Sequence, residues 1–212
     1  MYQALDDGDS QTGAEINYSR DSWNNIVTDN TTGLMWEDDA DTVVRTTYSW
    51  YDAVHKCANL TAGDYYDWRL PTYHELMGLY QYGNASPSLA ESFLAVIGGV
   101  RLWSSNSSAT SRDYALTMFQ SGLNSQSWLK SESYYARCVR GEQSAKSVFV
   151  HSADYHTVTD LATGLVWQDD AGVEAATFTW LEALDYCSNL ALDGNENWRL
   201  PNINEFLTIV DI

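Results

Sequence analysis

Thr28-Asp29-Asn30-Thr31-Thr32-Gly33-Leu34-Met35-Trp36-Glu37-Asp38-Asp39 returns later in the chain as Thr159-Asp160-Leu161-Ala162-Thr163-Gly164-Leu165-Val166-Trp167-Gln168-Asp169-Asp170, a shift of 160 − 29 = 131 residues. Trp50, Ala53, Cys57 and Leu60 return as Trp180, Ala183, Cys187 and Leu190, now at a shift of 130. Trp68-Arg69-Leu70-Pro71 returns as Trp198-Arg199-Leu200-Pro201, and Glu75 as Glu205. A period this long exceeds any solenoid repeat, so each copy is expected to be a whole domain with its own core. The expected organisation is a complete domain at 1–142 and the N-terminal half of a second copy at 143–212.

The repeated stretches also specify local structure. Ile26-Val27-Thr28 and Leu34-Met35-Trp36, joined through Gly33, read as a hairpin, with Gly33 free to take positive φ. Ser49-x-x-Asp52 caps a helix whose Trp50, Ala53, Val54, Cys57 and Leu60 fall on one face. Thr179-x-x-Glu182 repeats the cap. Thr72-x-x-Glu75 opens a second helix, echoed by Asn202-x-x-Glu205, with Leu76, Leu79 and Tyr80 as its apolar face. Arg69 and Glu75 are placed to pair across that helix start, and Trp36, Trp50 and Trp68 are assigned to the core. Residues 1–24, rich in Asp, Gly, Ser and Asn, are expected to be irregular. Beyond residue 82, short alternating segments at 114–120, 127–130 and 134–140 read as antiparallel strands, and Trp103-Ser104-Ser105 as a loop. The class is α+β.

Composition narrows the function. With 29 acidic and 11 basic residues the net charge is −18, which disfavours nucleic acid and other polyanions. An acidic surface is compatible with calcium, but more commonly is a solvated face, and neither Asp38-Asp39 nor Asp169-Asp170 sits in an Asp-x-Asp-x-Asp-Gly loop; no cofactor or metal is expected. No apolar run is long enough to span a membrane. Of the three cysteines, Cys57 and Cys138 form a disulfide in the economical reading, leaving Cys187 unpaired because its counterpart would lie beyond residue 212. The alternative is three reduced core cysteines. A disulfide implies export, although Met1 is not followed by a signal peptide.

Thr-Gly-Leu-Met-Trp, Trp-x-x-Ala-x-x-x-Cys, Trp-Arg-Leu-Pro-Thr-x-x-Glu-Leu, Trp103-Ser104-Ser105 and Arg137-Cys138-Val139-Arg140 together resemble the DUF1566 family, also described as the C-terminal domain of the Legionella collagen-like adhesin. Arg-Leu-Pro-Thr-x-x-Glu is similar to the formylglycine-generating-enzyme branch of C-type-lectin-like folds. The resemblance implies a C-type-lectin-like domain with two helices packed on antiparallel sheets, tandemly repeated, the second copy incomplete. It also implies a helix-to-last-strand disulfide and an exported, surface-located binding scaffold.

Recognition is expected in the second half of the domain, where loops are held by a sheet. Trp103, Asn106, Arg112, Asp113, Tyr114, Gln120, Asn124, Gln126 and Trp128 supply aromatic and amide chemistry suited to sugars or peptide surfaces. Each taken alone is as readily a surface or packing residue. Catalysis is not expected. Formylglycine-generating enzymes use two late cysteines, whereas this half holds only Cys138, and His55 and His74 are replaced by Asp185 and Asn204 in the second copy. Glu-Pro-Asn, Gln-Pro-Asp and Trp-Asn-Asp, the marks of calcium-dependent sugar-binding lectins, are absent. The leading expectation is a non-catalytic adhesin or interaction module, with glycan or protein ligands and avidity from tandem domains; a variable-loop binding protein is related to it. The competing one is a homo-oligomer, polymer or extracellular fibre in which another chain completes the second copy.

Overall fold

The computed structural model describes residues 17–81, 88–89, 92–95, 99–119, 125–142, 148–170 and 177–210. Its opening strand, β1 (Tyr18–Asp21), lies within the stretch expected to be irregular and pairs antiparallel with β2 (Ile26–Asp29). Its alternation of half-buried Tyr18 and Arg20 with exposed Ser19 and Asp21 has the period of a strand, and the polar composition hid it. β2 turns at Asp29–Gly33 into β3 (Met35–Glu37), as the hairpin reading requires. Gly33 sits at φ 78°, and Asp29 accepts the Thr31 and Thr32 amides. A side chain at Gly33 would force the left-handed conformation on an L-residue.

Asp39 caps the short α1 (Ala40–Val43), and Ser49 caps α2 (Trp50–Ala58) by accepting the Asp52 amide. The inward stripe of α2 buries Ala53 and Cys57 completely, four residues apart on one face. A short 3₁₀ turn (Ala62–Asp64) leads to Trp68-Arg69-Leu70-Pro71 and then to α3 (Tyr73–Gly78). There Thr72 and Glu75 make the reciprocal capping box, and Arg69 grips the Glu75 carboxylate at 2.8 and 2.6 Å. β4 (Tyr80–Gln81) pairs with β5 (Ser88–Leu89).

The strand-rich half follows. β6 (Arg101–Ser107), β7 (Tyr114–Phe119) and β8 (Ser125–Leu129) form an antiparallel sheet in that order. Trp103-Ser104-Ser105 is the middle of β6 rather than a loop. Ser104 is buried with its hydroxyl bonded to the Leu116 carbonyl, so a polar run can pack in a strand interior. Residues 134–140 are only partly regular: Tyr134 bridges Tyr48, Tyr135 bridges Leu102, and β9 (Val139–Arg140) closes the first sheet as β1-β2-β3-β9.

The two sheets and α2 meet in a core of Ile26, Ala53, Cys57, Trp68, Leu70, Trp103, Ala115, Ala136 and Cys138. Cys57 and Cys138 are disulfide-bonded, as the repeat suggested. Trp36 and Trp68 are buried, and Trp50 is packed at the margin of this core. All of this belongs to one compact unit, Ala14–Glu142.

A second compact unit covers Gln143–Asp211. β10 (Phe149–His151), β11 (Thr157–Asp160) and β12 (Val166–Gln168) form a three-stranded antiparallel sheet. Gly164, at φ 74°, turns the hairpin as Gly33 does. α4 (Trp180–Asn189) starts on a Thr179–Glu182 capping box. α5 (Ile203–Thr208) starts with Asn202 and Glu205 exchanging bonds, while Arg199 holds Glu205 at 2.8 and 2.5 Å. Among the described residues, the glycine-turned hairpin, the two helix caps and the Arg–Glu grip of the first unit recur here. The protein is thus a mixed α+β chain, its sheets mostly antiparallel, and none of its described helices is long and apolar enough to cross a membrane.

Candidate functional site

β8 is an edge strand, and an open depression of about 480 Å³ runs along it, lined by Tyr114, Gln126, Ser127, Trp128, Leu129 and Glu132. Antiparallel pairing places Tyr114 opposite Leu129 and Ala115 opposite Trp128. Tyr114, Gln126, Ser127, Leu129 and Glu132 are exposed. Trp128 is half-buried, its ring edge-on to Tyr134 at 5.7 Å, and Tyr134 is edge-on to Trp103 at 5.0 Å. This aromatic file anchors the floor of the depression to the core. Burial pushes the Tyr134 phenol above its ordinary range, so it stays neutral.

Arg101, at the start of β6, stacks within 4.9 Å of the Trp128 ring and 5.1 Å of Phe119. Among the described residues, its Nη1 and the Trp128 Nε1 are buried donors with no acceptor. Unmet buried donors beside an aromatic surface are uncommon and costly in a folded protein.

Three of the expected recognition residues, Tyr114, Gln126 and Trp128, therefore come together. The others separate. Trp103 is wholly buried, with its Nε1 bonded to the Tyr48 carbonyl at 2.9 Å, so it supports the sheet and offers nothing to a ligand. The Asn106 side chain accepts the Tyr73 amide at 2.8 Å and thereby holds the start of α3. Arg112 and Asp113 are exposed in the β6–β7 turn, where the Asp113 carbonyl accepts the Lys130 amide. Gln120 and Asn124 lie outside the described residues. Arg101, Ser127, Leu129 and Glu132 were not singled out from the sequence. The alternating β8 pattern was the available signal for Ser127 and Leu129; Arg101 and Glu132 had none, since their placement depends on pairing and turn geometry.

A buried charge cluster lies elsewhere. Glu37 and Asp38 are buried, contrary to the solvated-face reading of the acidic doublets. Asp38 accepts from Arg137 (2.8 Å), the Leu94 and Ala95 amides (2.7 and 3.0 Å) and Arg20. Glu37 accepts from Thr42 (2.6 Å), the Cys138 amide (3.1 Å) and Lys56. Burial depresses the Lys56 ammonium below its ordinary range, an effect Glu37 partly offsets. Carboxylates this engaged and this far from solvent hold strands together rather than meet a substrate. Asp39 is the helix cap described above.

Among the described residues, Asp154, His156 and Asp193 bring potential metal-ligand atoms within 4.8 Å of one another. His156 faces Asp193 at 3.4 Å, and the Thr157 hydroxyl bonds Asp193 at 2.9 Å, holding that carboxyl below its ordinary range. These bonds tie His156 and Asp193 to the strand that carries Thr157. Cys187 is free and half-buried, and burial raises its thiol pKa.

A family model described as the Lcl C-terminal domain matches residues 25–140 and again 156–212. No curated protein matches the chain.

Proposed function

The chain belongs to the Lcl C-terminal domain family, and from that premise we propose that it is a surface-associated, adhesin-like module that binds an extracellular ligand without catalysis. Both units are then copies of one exported C-type-lectin-like domain, the first stabilised by its helix-to-last-strand disulfide. The observation that carries the ligand reading is the depression along β8. Tyr114 and the half-buried Trp128 provide flat apolar contact, while Gln126, Ser127 and Glu132 ring them with donors and acceptors. This mixture suits a neutral glycan, whose sugar faces stack on aromatic rings and whose hydroxyls need short polar partners. The net charge of −18 argues against sulfated or otherwise anionic glycans.

The test is binding to an array of neutral glycans and extracellular-matrix proteins, repeated with Tyr114→Ala and Gln126→Ala. Both residues are exposed at the rim, so folding should survive. Loss of a specific signal in both variants supports the site. A signal untouched by both, or no ligand at all, sinks it.

A further inference from the structure

Asp193 occupies the place of Gly63, the residue 130 positions earlier, and Thr157 the place of Ile26, 131 positions earlier. Gly63 and Asp193 both take positive φ, 66° and 49°. In the first unit this corner is apolar and has no room for a side chain: a Cβ at Gly63 would lie 2.6 Å from Ile26 Cδ1. In the second, the Thr157 hydroxyl donates to the Asp193 carboxylate at 2.9 Å. Thr in place of Ile both makes room for the carboxylate and orients it, at a position where Gly would have avoided backbone strain. The units make paired changes elsewhere too. Lys56–Glu37 of the first is matched by Tyr186 and Gln168 of the second, whose amide donates to the hydroxyl at 2.6 Å, a neutral pair in place of ions. At the corner the change runs the other way, from apolar to charged.

His156 and Asp154, on the β10–β11 turn, stand where the first unit has Asn25 and Trp23. Their ligand atoms and that of Asp193 lie within 4.8 Å of one another. His156 Nδ1 is 3.4 Å from Asp193 Oδ1. A charge-assisted N–H···O bond is shorter, about 2.7–2.9 Å. The spacing is instead the edge of a tetrahedron around a zinc-sized ion, since two ligand atoms each about 2.0–2.1 Å from the metal lie about 3.4 Å apart. Asp154 is exposed, so a change of rotamer is enough to bring its carboxylate to the third vertex. The Thr157 hydroxyl supplies the outer hydrogen bond that fixes a ligating carboxylate. An imidazole set between two carboxylates selects a transition ion, whereas oxygen donors alone suit calcium or magnesium. Trp23 and Asp64, which match Asp154 and Gly194, are also exposed. The corner is therefore a surface in both units, whatever strands cover the rest of either one.

We propose that Asp154, His156 and Asp193 bind a divalent transition-metal ion of the zinc type, with one coordination position left open. The ion fastens the β10–β11 turn to the turn after α4, and the open position takes a water or a donor atom from an outside ligand. The net charge of −18 draws cations toward it. The site belongs to the second unit, so ligand binding at β8 can fail without affecting it.

The test is calorimetric titration of the full chain, freed of metal by chelation, with zinc chloride alone. One zinc per chain is expected, bound about tenfold or more tightly than calcium. His156→Gln and Asp193→Gly should each weaken zinc binding by about tenfold or more. Asp193→Gly restores the residue that the first unit carries at this positive φ, so the turn keeps its shape. Cys187→Ser and His151→Gln remove rival zinc ligands and should leave the affinity unchanged. Zinc should also slow amide exchange over 153–157 and 192–195, which locates the ion. Zinc uptake lost in both corner variants and kept in both controls supports the site. Zinc binding that survives either corner variant or depends on Cys187 or His151 overturns it, as does calcium binding of equal strength or no zinc uptake at millimolar concentration.

Discussion

The two units begin with the same instructions and differ in what covers them. Both turn a hairpin on a positive-φ glycine, both cap two helices with a hydroxyl or amide answered by a carboxylate three residues on, and both lock Arg to Glu ahead of the second helix. In Ala14–Glu142, those elements are roofed by β6–β9, and Leu76, Cys57 and Asp38 lose all contact with water. In Gln143–Asp211, Phe206, Cys187 and Asp169 keep it. Local devices are thus sufficient to set hairpins and helices, while burial comes from the strands that follow.

That contrast breaks first at the disulfide. Cys57→Ser should cost about 4.5 kcal/mol, the loop-closure entropy for an 81-residue separation, and Cys187→Ser almost nothing. Thermal unfolding followed by aromatic circular dichroism would show it. Equal losses from the two changes would mean that the second unit is also cross-linked in solution.

Next comes the buried carboxylate. Asp38→Asn leaves Arg137 and Arg20 without their anion in a water-free site and should cost about 4 kcal/mol, whereas Asp169→Asn at a half-exposed position should cost under about 0.5 kcal/mol. Denaturant midpoints, with hydrogen exchange assigning the loss to one unit, give the comparison. The core contrast follows: Leu76→Ala should cost about 3 kcal/mol and Phe206→Ala under about 1 kcal/mol. A large loss at Phe206 would indicate that its face is already covered.

A double-mutant cycle sharpens the swap of ion pair for neutral pair. Glu37→Gln alone strands Lys56; Glu37→Gln with Lys56→Tyr restores the arrangement of Gln168 and Tyr186 and should recover about 1–2 kcal/mol of the single-mutant loss. Additive losses would show that the two pairs are unrelated.

The smallest effect is pH-dependent. The Arg199 guanidinium holds the Glu205 carboxyl below its ordinary range. A carboxyl depressed in the folded state lends stability above its ordinary range and loses it as pH falls through the folded value. α5 should therefore loosen in acid, seen as faster amide exchange over 203–208, and Arg199→Met should flatten that dependence.

Hairpins, caps, the Arg69–Glu75 grip and the Cys57–Cys138 pairing were legible because each is encoded by residue types at fixed spacing: a glycine at a turn, a hydroxyl three before a carboxylate, a cysteine on a helical stripe. β1 and β6 were not. Tyr-Ser-Arg-Asp and Trp-Ser-Ser carry strand conformation in polar residues, whose hydrogen bonds to distant segments no spacing announces. Of the residues expected to serve recognition, Tyr114, Gln126 and Trp128 meet along β8, but Trp103 and Asn106 were drawn inward by partners 55 and 33 residues away.

By itself, then, the sequence determined the family, the repeated local frame and the covalent link, since these follow from residue identity at short or periodic range. Only the tertiary structure decided that Glu37 and Asp38 are interior ions while Asp169 stands half in water. Whether a carboxylate is buried depends on which Arg, amide and strand arrive from elsewhere in the fold, and identical doublets 131 residues apart carry no mark of that difference.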